Sequence, residues 1–172
     1  YQTGYVGKWH LDVGIKHGFV PPGERRLGFD WFVGFNRGHA YIHSIYCRDD
    51  GQPRTSQRYE PDYQTDHLIE FMSQASDDPE GRPFFAEICY GLPHPPLVAP
   101  RHYLELYSPA EVPIRANTPD DAESRRRARA FLAGYYGLVA CVDHNVGKVL
   151  DWLHSHELAD NTLVLFASDH GE

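Results

Sequence analysis

Thr162-Leu163-Val164-Leu165-Phe166-Ala167-Ser168-Asp169-His170-Gly171-Glu172 closes the chain, and its reading decides the fold. Five of the first six residues are apolar, and no polar residue alternates with them. A strand buried on both faces of a parallel sheet has that pattern. The run stops at a carboxylate and an imidazole, followed by a glycine where the backbone turns freely. Ligands of open α/β sheets sit outside the carboxyl ends of the strands. Asp169 and His170 are therefore candidate metal ligands, and the competing reading is a loop cap beside an exposed histidine.

Two other apolar runs end in comparable chemistry. Gln2 to Gly7 favours a strand, broken by two glycines, and leads into Lys8-Trp9-His10-Leu11. In extended chain Lys8 and His10 share one face, while Trp9 and Leu11 share the other. A cation beside an imidazole, backed by apolar residues, suits an anionic substrate. Pro83 to Tyr90 reads as a second strand with Glu87 its only charged residue, and Gly91-Leu92-Pro93-His94-Pro95-Pro96 follows at once. Prolines on both sides restrict the backbone, so His94 is expected on a stiff turn, as a catalytic group requires.

The intervening segments supply scaffold. Asp62 to Ala75 reads as a helix with Leu68, Ile69, Met72 and Ala75 on one face. Thr118-Pro119-Asp120-Asp121 is a helix start, and Leu132, Tyr135, Val139, Val142, Val146, Val149 and Leu153 form an apolar stripe along the helix after it. Asn36 to His43 places Arg37, His39 and His43 in a polar, aromatic loop, read as lying on the substrate side. Strand, helix, strand, long helix, strand is an α/β pattern with a largely parallel central sheet flanked by helices. Lys8 with His10, His94, and Asp169 with His170 would then converge at one sheet edge.

Composition excludes other classes. A net charge of −8 leaves no basic surface for nucleic acid, since the one basic run, Arg125-Arg126-Arg127, falls within the long helix. No apolar run reaches the roughly 18–20 residues needed to span a bilayer. Cys47, Cys89 and Cys141 lack metal-type spacing, and Cys89 and Cys141 read as buried thiols.

These residues carry a family resemblance. Gly4-Tyr5-Val6-Gly7-Lys8-Trp9-His10-Leu11 resembles the second signature of the sulfatases, of the alkaline-phosphatase-like superfamily. Gly91 to Pro96 resembles their histidine turn, and Asp160 to Glu172 is similar to their second metal-binding segment. Tyr135, Tyr136, Asp143, Val146 and Gly147 follow the same pattern, in order along nearly the whole chain.

The resemblance implies a sulfuric ester hydrolase acting on a small-molecule or carbohydrate sulfate ester through a formylglycine nucleophile. It implies that Lys8 binds sulfate oxygens, that His10 hydrogen-bonds the formylglycine, and that His94 contacts the sulfate near the leaving oxygen. Arg37 and His39 are expected on the substrate, and Asp169 and His170 on Ca²⁺, with Mn²⁺ or Zn²⁺ as alternatives because His170 stands where many members carry Asn. Secreted, periplasmic or lysosomal location is what the family favours.

The chain also departs from the family pattern. No Cys/Ser-x-Pro-x-Arg motif occurs, so formylglycine and the enzyme that generates it belong outside residues 1–172. Residues 1–172 are accordingly expected to be part of a single catalytic domain, inactive alone, without its nucleophile segment and its C-terminal part. A phosphonate monoester or phosphodiester hydrolase of the same superfamily and a non-catalytic binding relative remain alternatives.

Overall fold

The computed structural model describes residues 1–13, 18–38 and 40–170. Five strands, β1 (Gln2–Lys8), β2 (Trp31–Phe35), β3 (Ile45–Cys47), β4 (Pro53–Thr55) and β5 (Phe84–Cys89), form one sheet in the order β4-β3-β2-β1-β5. β1 runs parallel to both β2 and β5, while β3 and β4 extend the sheet antiparallel beyond β2. The fold is α/β with a mixed sheet, parallel across β2, β1 and β5, the last of which is an edge strand. The expectation of a largely parallel sheet holds for those three strands.

β1 lies between its two parallel partners, β2 and β5, and its side chains serve both faces of the sheet. Val6 points into a core with Leu68, Phe71 and Met72 of helix α1 (Glu60–Ser76) and with Trp152 and Leu153 of helix α3 (Ala122–Ser155). Tyr5 packs on the other face with Trp9, Val20 and Phe32. The two glycines that interrupt the strand in sequence are steric requirements in the structure. A Cβ on Gly4 would lie 2.5 Å from the Phe71 ring, and one on Gly7 would lie 2.2 Å from the Cys89 carbonyl oxygen at a φ of 118°.

Both helices depart from their expected bounds at the N-terminus. α1 begins two residues earlier than expected, with Pro61 in its first turn, where the ring's missing N–H is harmless. α3 begins at Ala122, four residues after the expected Thr118 cap, because the Asp121 carboxylate accepts from Ser124 N at 2.8 Å and so caps the first turn. Its buried face is centred on Leu138, Cys141, Asn145 and Leu153, whereas Val139 of the expected stripe is 43% exposed. A Cβ on Gly137 would stand 2.9 Å from the Tyr103 carbonyl oxygen, so this glycine lets α2 (Arg101–Leu104) close on α3.

The closing segment corrects the reading on which the fold class was based. Residues 162–168 form no strand, and Leu163, Leu165 and Phe166 are each at least 75% exposed. An apolar run becomes a strand only where a neighbouring backbone offers a ladder. Among the described residues, none pairs with this one. No helix of the described chain is long and apolar enough to cross a membrane.

Candidate active site

Parallel strands deliver their carboxyl ends to one edge, and the candidate residues leave from that edge. Lys8 is the last residue of β1, opposite Phe35, and the register continues as Trp9 N donates to Phe35 O at 2.8 Å and His10 N to Asn36 O at 2.6 Å. Asn36 is buried and bonds the Asp12 backbone, donating from Nδ2 to its carbonyl at 2.9 Å. The Tyr5 hydroxyl donates to the Lys8 carbonyl and fixes the strand end from the opposite face. Trp9 is buried as the alternation requires.

At His10 the alternation breaks. His10 adopts a left-handed φ of 56°, so it does not continue the extended face, and Leu11 is 69% exposed instead of lying beside Trp9. His10 nevertheless stays in the same electrostatic neighbourhood as Lys8. Partial desolvation first, then the positive charges of Lys8 and Arg37, hold its imidazole below the ordinary histidine value. Arg37, just past the end of β2, thus acts on His10 together with Lys8. His39 lies outside the described residues.

β5 ends one residue before Tyr90, and the Gly91–Pro96 turn carries His94 to the surface. The turn is anchored from beneath: the Tyr41 hydroxyl lies 2.9 Å from Gly91 O and 2.6 Å from His94 O. The imidazole Nδ1 lies 2.5 Å from Pro95 O, and because a carbonyl only accepts, Nδ1 bears the proton there.

Cys89 links the strand ends. Burial pushes its thiol up, Asp169 pushes it further, and Lys8 pulls it down, so the ends of β1 and β5 and the C-terminal acid share one field. Burial also raises Cys47 and raises Cys141 to about 12. All three cysteines are free and neutral, which makes them poor nucleophiles.

Asp169 and His170 are exposed at the end of the unpaired segment. Asp169 Oδ1 accepts from its neighbour's backbone N–H at 2.9 Å, and Asp169 Oδ2 lies 3.8 Å from His170 Nε2. Two donors at that separation can touch one cation at the ~2.3–2.6 Å of calcium coordination, yet they are two where calcium takes about 6–8 oxygens. Among the described residues, no group of three or more His, Cys, Asp or Glu side chains converges on a metal position.

Sequence reading missed two residues of this region. Tyr41 was passed over as one aromatic of a loop. Glu60 was not singled out, although it is fully buried, its backbone N–H donating to Tyr41 O at 2.9 Å. An acid beside a proline at a helix start carries no signal of burial.

An open α/β sheet with cations and histidines gathered at its carboxyl edge places them where ligands of such sheets bind. The sulfatase family model matches residues 1–172, and the chain belongs to that family. An ulvan-active sulfatase of Formosa agariphila is 34% identical over 175 residues, covering all of this chain and 33% of its own. A choline-sulfatase of Rhizobium meliloti is 28% identical over 186 residues, covering 94% of this chain and 34% of its own. The crystal structure of a Bacteroides fragilis sulfatase, yidJ, superposes with a TM-score of 0.81 at 26% identity, over 94% of this chain and 39% of that one. The chain thus spans about a third of the length of the curated relatives it matches.

Proposed function

We propose that the carboxyl edge of the sheet binds and cleaves the sulfate group of a sulfate monoester. A sulfated carbohydrate is the substrate class favoured by the likeness to the ulvan-active sulfatase. The observation that carries the reading is the shared field of Lys8, His10 and Arg37, with Cys89 bringing the end of β5 into it. Two cations and an imidazole aimed at one space stabilise the charge of a sulfuryl group through the transition state. Lys8 binds sulfate oxygens, and Arg37 and His39 orient the rest of the anion. His10 holds the nucleophile's oxygen by a hydrogen bond. His94, held by Tyr41, presents Nε2 to the leaving oxygen and, as the imidazolium with both nitrogens protonated, supplies its proton.

The nucleophile in this proposal is a formylglycine carried outside residues 1–172 and installed by a formylglycine-generating enzyme. When present it supplies a hydrate oxygen. Asp169 and His170 contribute two donors to a metal site whose ion is Ca²⁺, with Mn²⁺ or Zn²⁺ as the alternatives that an imidazole ligand permits.

The test is turnover of paired aryl sulfate and aryl phosphate substrates by the complete reading frame that contains these residues. Preference for the sulfate by at least tenfold in kcat/KM is expected. Preference for the phosphate would assign the site to phosphoryl chemistry, and turnover of neither would leave a binding protein.

A further inference from the structure

α3 outruns the sheet it packs on. Its last turns meet the middle of β1, where Trp152 and Leu153 join Val6 in one core cluster. Its centre meets the histidine turn, where Leu138, Cys141 and Val142 join Leu92 in another. One turn earlier, a Cβ on Gly134 would stand 3.1 Å from Leu97 Cδ1, three residues past His94. The first buried residue of the helix is Ala133. Residues 122–132, about three turns and about 16 Å of helix, therefore project past the histidine turn and belong to no core cluster.

The projecting turns are held from one side only. Arg129 Nη1 donates to Ala110 O at 3.2 Å and to Val112 O at 2.5 Å, fixing the segment 109–118 against the helix. Two grooves of about 350 and 420 Å³ lie between segment and helix. Arg125, Arg126 and Arg129 line the first, and Arg115, Arg127 and Phe131 line the second; among the described residues no carboxylate lines either. Arg115 and Arg126 form no ion pair among the described residues. Arg125 pairs with Asp120 at 2.6 Å and Arg127 with Glu123 at 3.2 Å, both on exposed surface, where such pairs are weak and exchange readily for another anion.

Aromatic rings adjoin the arginines. Phe131 is exposed and stacks on Tyr135 at a centroid separation of 6.1 Å. Tyr135 meets Tyr136 at 6.4 Å, and Tyr136 meets the exposed Tyr107 at 5.6 Å. The run of rings leads from the second groove toward Gly134, where Leu97 packs. A guanidinium fork matches two oxygens of a tetrahedral oxyanion, and a negative π face attracts the polarised C–H bonds of a sugar ring. Arginines with stacked rings also suit single-stranded nucleic acid. Continuity with the histidine turn, which carries the candidate sulfate chemistry, favours the sugar.

We propose that the projecting turns of α3 hold a sulfated polysaccharide beside the active-site edge, a sugar ring resting on Phe131 and its sulfate groups on Arg115 and Arg127. The proposal deepens the sulfated-carbohydrate reading and rests on it. The groove neighbouring Arg126 extends the same track along the helix. A small aryl sulfate reaches only the carboxyl edge of the sheet, so it makes none of these contacts.

The experiment uses labelled dextran sulfate as the probe on the complete reading frame, with unsulfated dextran and a single-stranded DNA oligomer beside it. Affinity is measured at low ionic strength, where exposed charges are least screened. Wild type is expected to bind dextran sulfate in preference to the DNA and to ignore unsulfated dextran. Arg115→Gln combined with Arg127→Gln should weaken dextran sulfate binding roughly tenfold, and Phe131→Ala should weaken it as well. The unfolding curve and the kcat/KM for an aryl sulfate should stay at wild-type values in both variants.

Equal affinity of wild type and the double variant for dextran sulfate overturns the proposal. Tighter binding of the DNA overturns the choice of occupant, and an indifferent Phe131→Ala overturns the sugar contact. The aryl sulfate separates these failures from that of the underlying reading. If the variants lose dextran sulfate while wild type turns over no aryl sulfate, the sulfate-cleaving reading fails and the surface stands. If wild type turns over the aryl sulfate and all proteins bind dextran sulfate alike, the surface alone fails.

Discussion

The Tyr41 hydroxyl lies 2.6 Å from the carbonyl oxygen of His94, across 53 residues of sequence, and thereby ties the histidine turn to the loop that follows β2. Tyr41 is buried, and its ring packs edge-on against Tyr59 at a centroid separation of 6.4 Å. The stiffness of the His94 turn thus has a tertiary component in addition to its flanking prolines.

Tyr41→Phe removes that hydroxyl and leaves Gly91 O and His94 O to find other donors. Losing a buried hydrogen bond of this kind costs about 1–3 kcal/mol. Urea denaturation should show a loss of that order, and kcat in the complete reading frame should fall more than KM rises, because His94 loses its orientation. An unchanged kcat would separate the turn from the chemistry.

His94→Ala should slow esters with poor leaving groups more than activated aryl sulfates, which need little protonation. The measurement is a leaving-group series for the variant and wild type. Equal losses across the series would remove the acid role and leave His94 as a sulfate contact.

Asn145, fully buried on α3, donates from Nδ2 to Asp62 Oδ1 at 3.1 Å and to Cys141 O at 3.0 Å, joining α3 to α1. Asn145→Ala removes both donations and leaves Asp62 with Lys148 Nζ at 3.4 Å, and it should destabilise the fold by about 1–3 kcal/mol without changing the pH dependence of catalysis. Thermal or urea unfolding checks the first part, and a pH–rate profile the second.

Glu60 also makes a signed prediction for stability. Its folded pKa of about 8 exceeds the ordinary carboxyl value of 4.5, so the folded state holds the proton longer than the unfolded state does. Its contribution is favourable and constant below pH 4.5. That contribution is lost as pH rises from 4.5 to about 8, and stability is flat in this respect above 8. The loss is on the order of a few kcal/mol. Glu60→Gln should abolish this slope in denaturant unfolding measured from pH 5 to 9, and a slope unchanged in the variant would assign it to other groups.

Much of this arrangement was legible in the sequence. Lys8 and His94 follow apolar runs, and parallel pairing of β1 with β5 delivers both to one edge. Residues 162–168 were not legible in the same sense. Their apolar pattern is that of a buried strand, but burial depends on a ladder partner that the pattern cannot supply. β2 was obscured because Gly34 and the surrounding aromatics hide a strand whose glycine is needed because a Cβ there would stand 2.2 Å from the Gly7 carbonyl oxygen, a constraint set by β1. His10 left its expected face through a single positive φ, and Glu60 reads as a solvated helix-start acid until Ser44, Tyr63 and Gln64 close around it. In each case the deciding interaction is long-range, and a local pattern does not encode it.

The most direct measurement of the central claim is kcat/KM for an aryl sulfate in the complete reading frame, wild type against Lys8→Ala. Losing a charge-assisted contact to a developing anion costs on the order of 2–4 kcal/mol of transition-state stabilisation, or roughly a hundredfold or more in rate. The account predicts that loss with an unfolding curve close to wild type, because Lys8 is half-buried at a strand end and part of none of the three core clusters. A Lys8→Ala protein that folds and turns over the sulfate ester within a few-fold of wild type would contradict it.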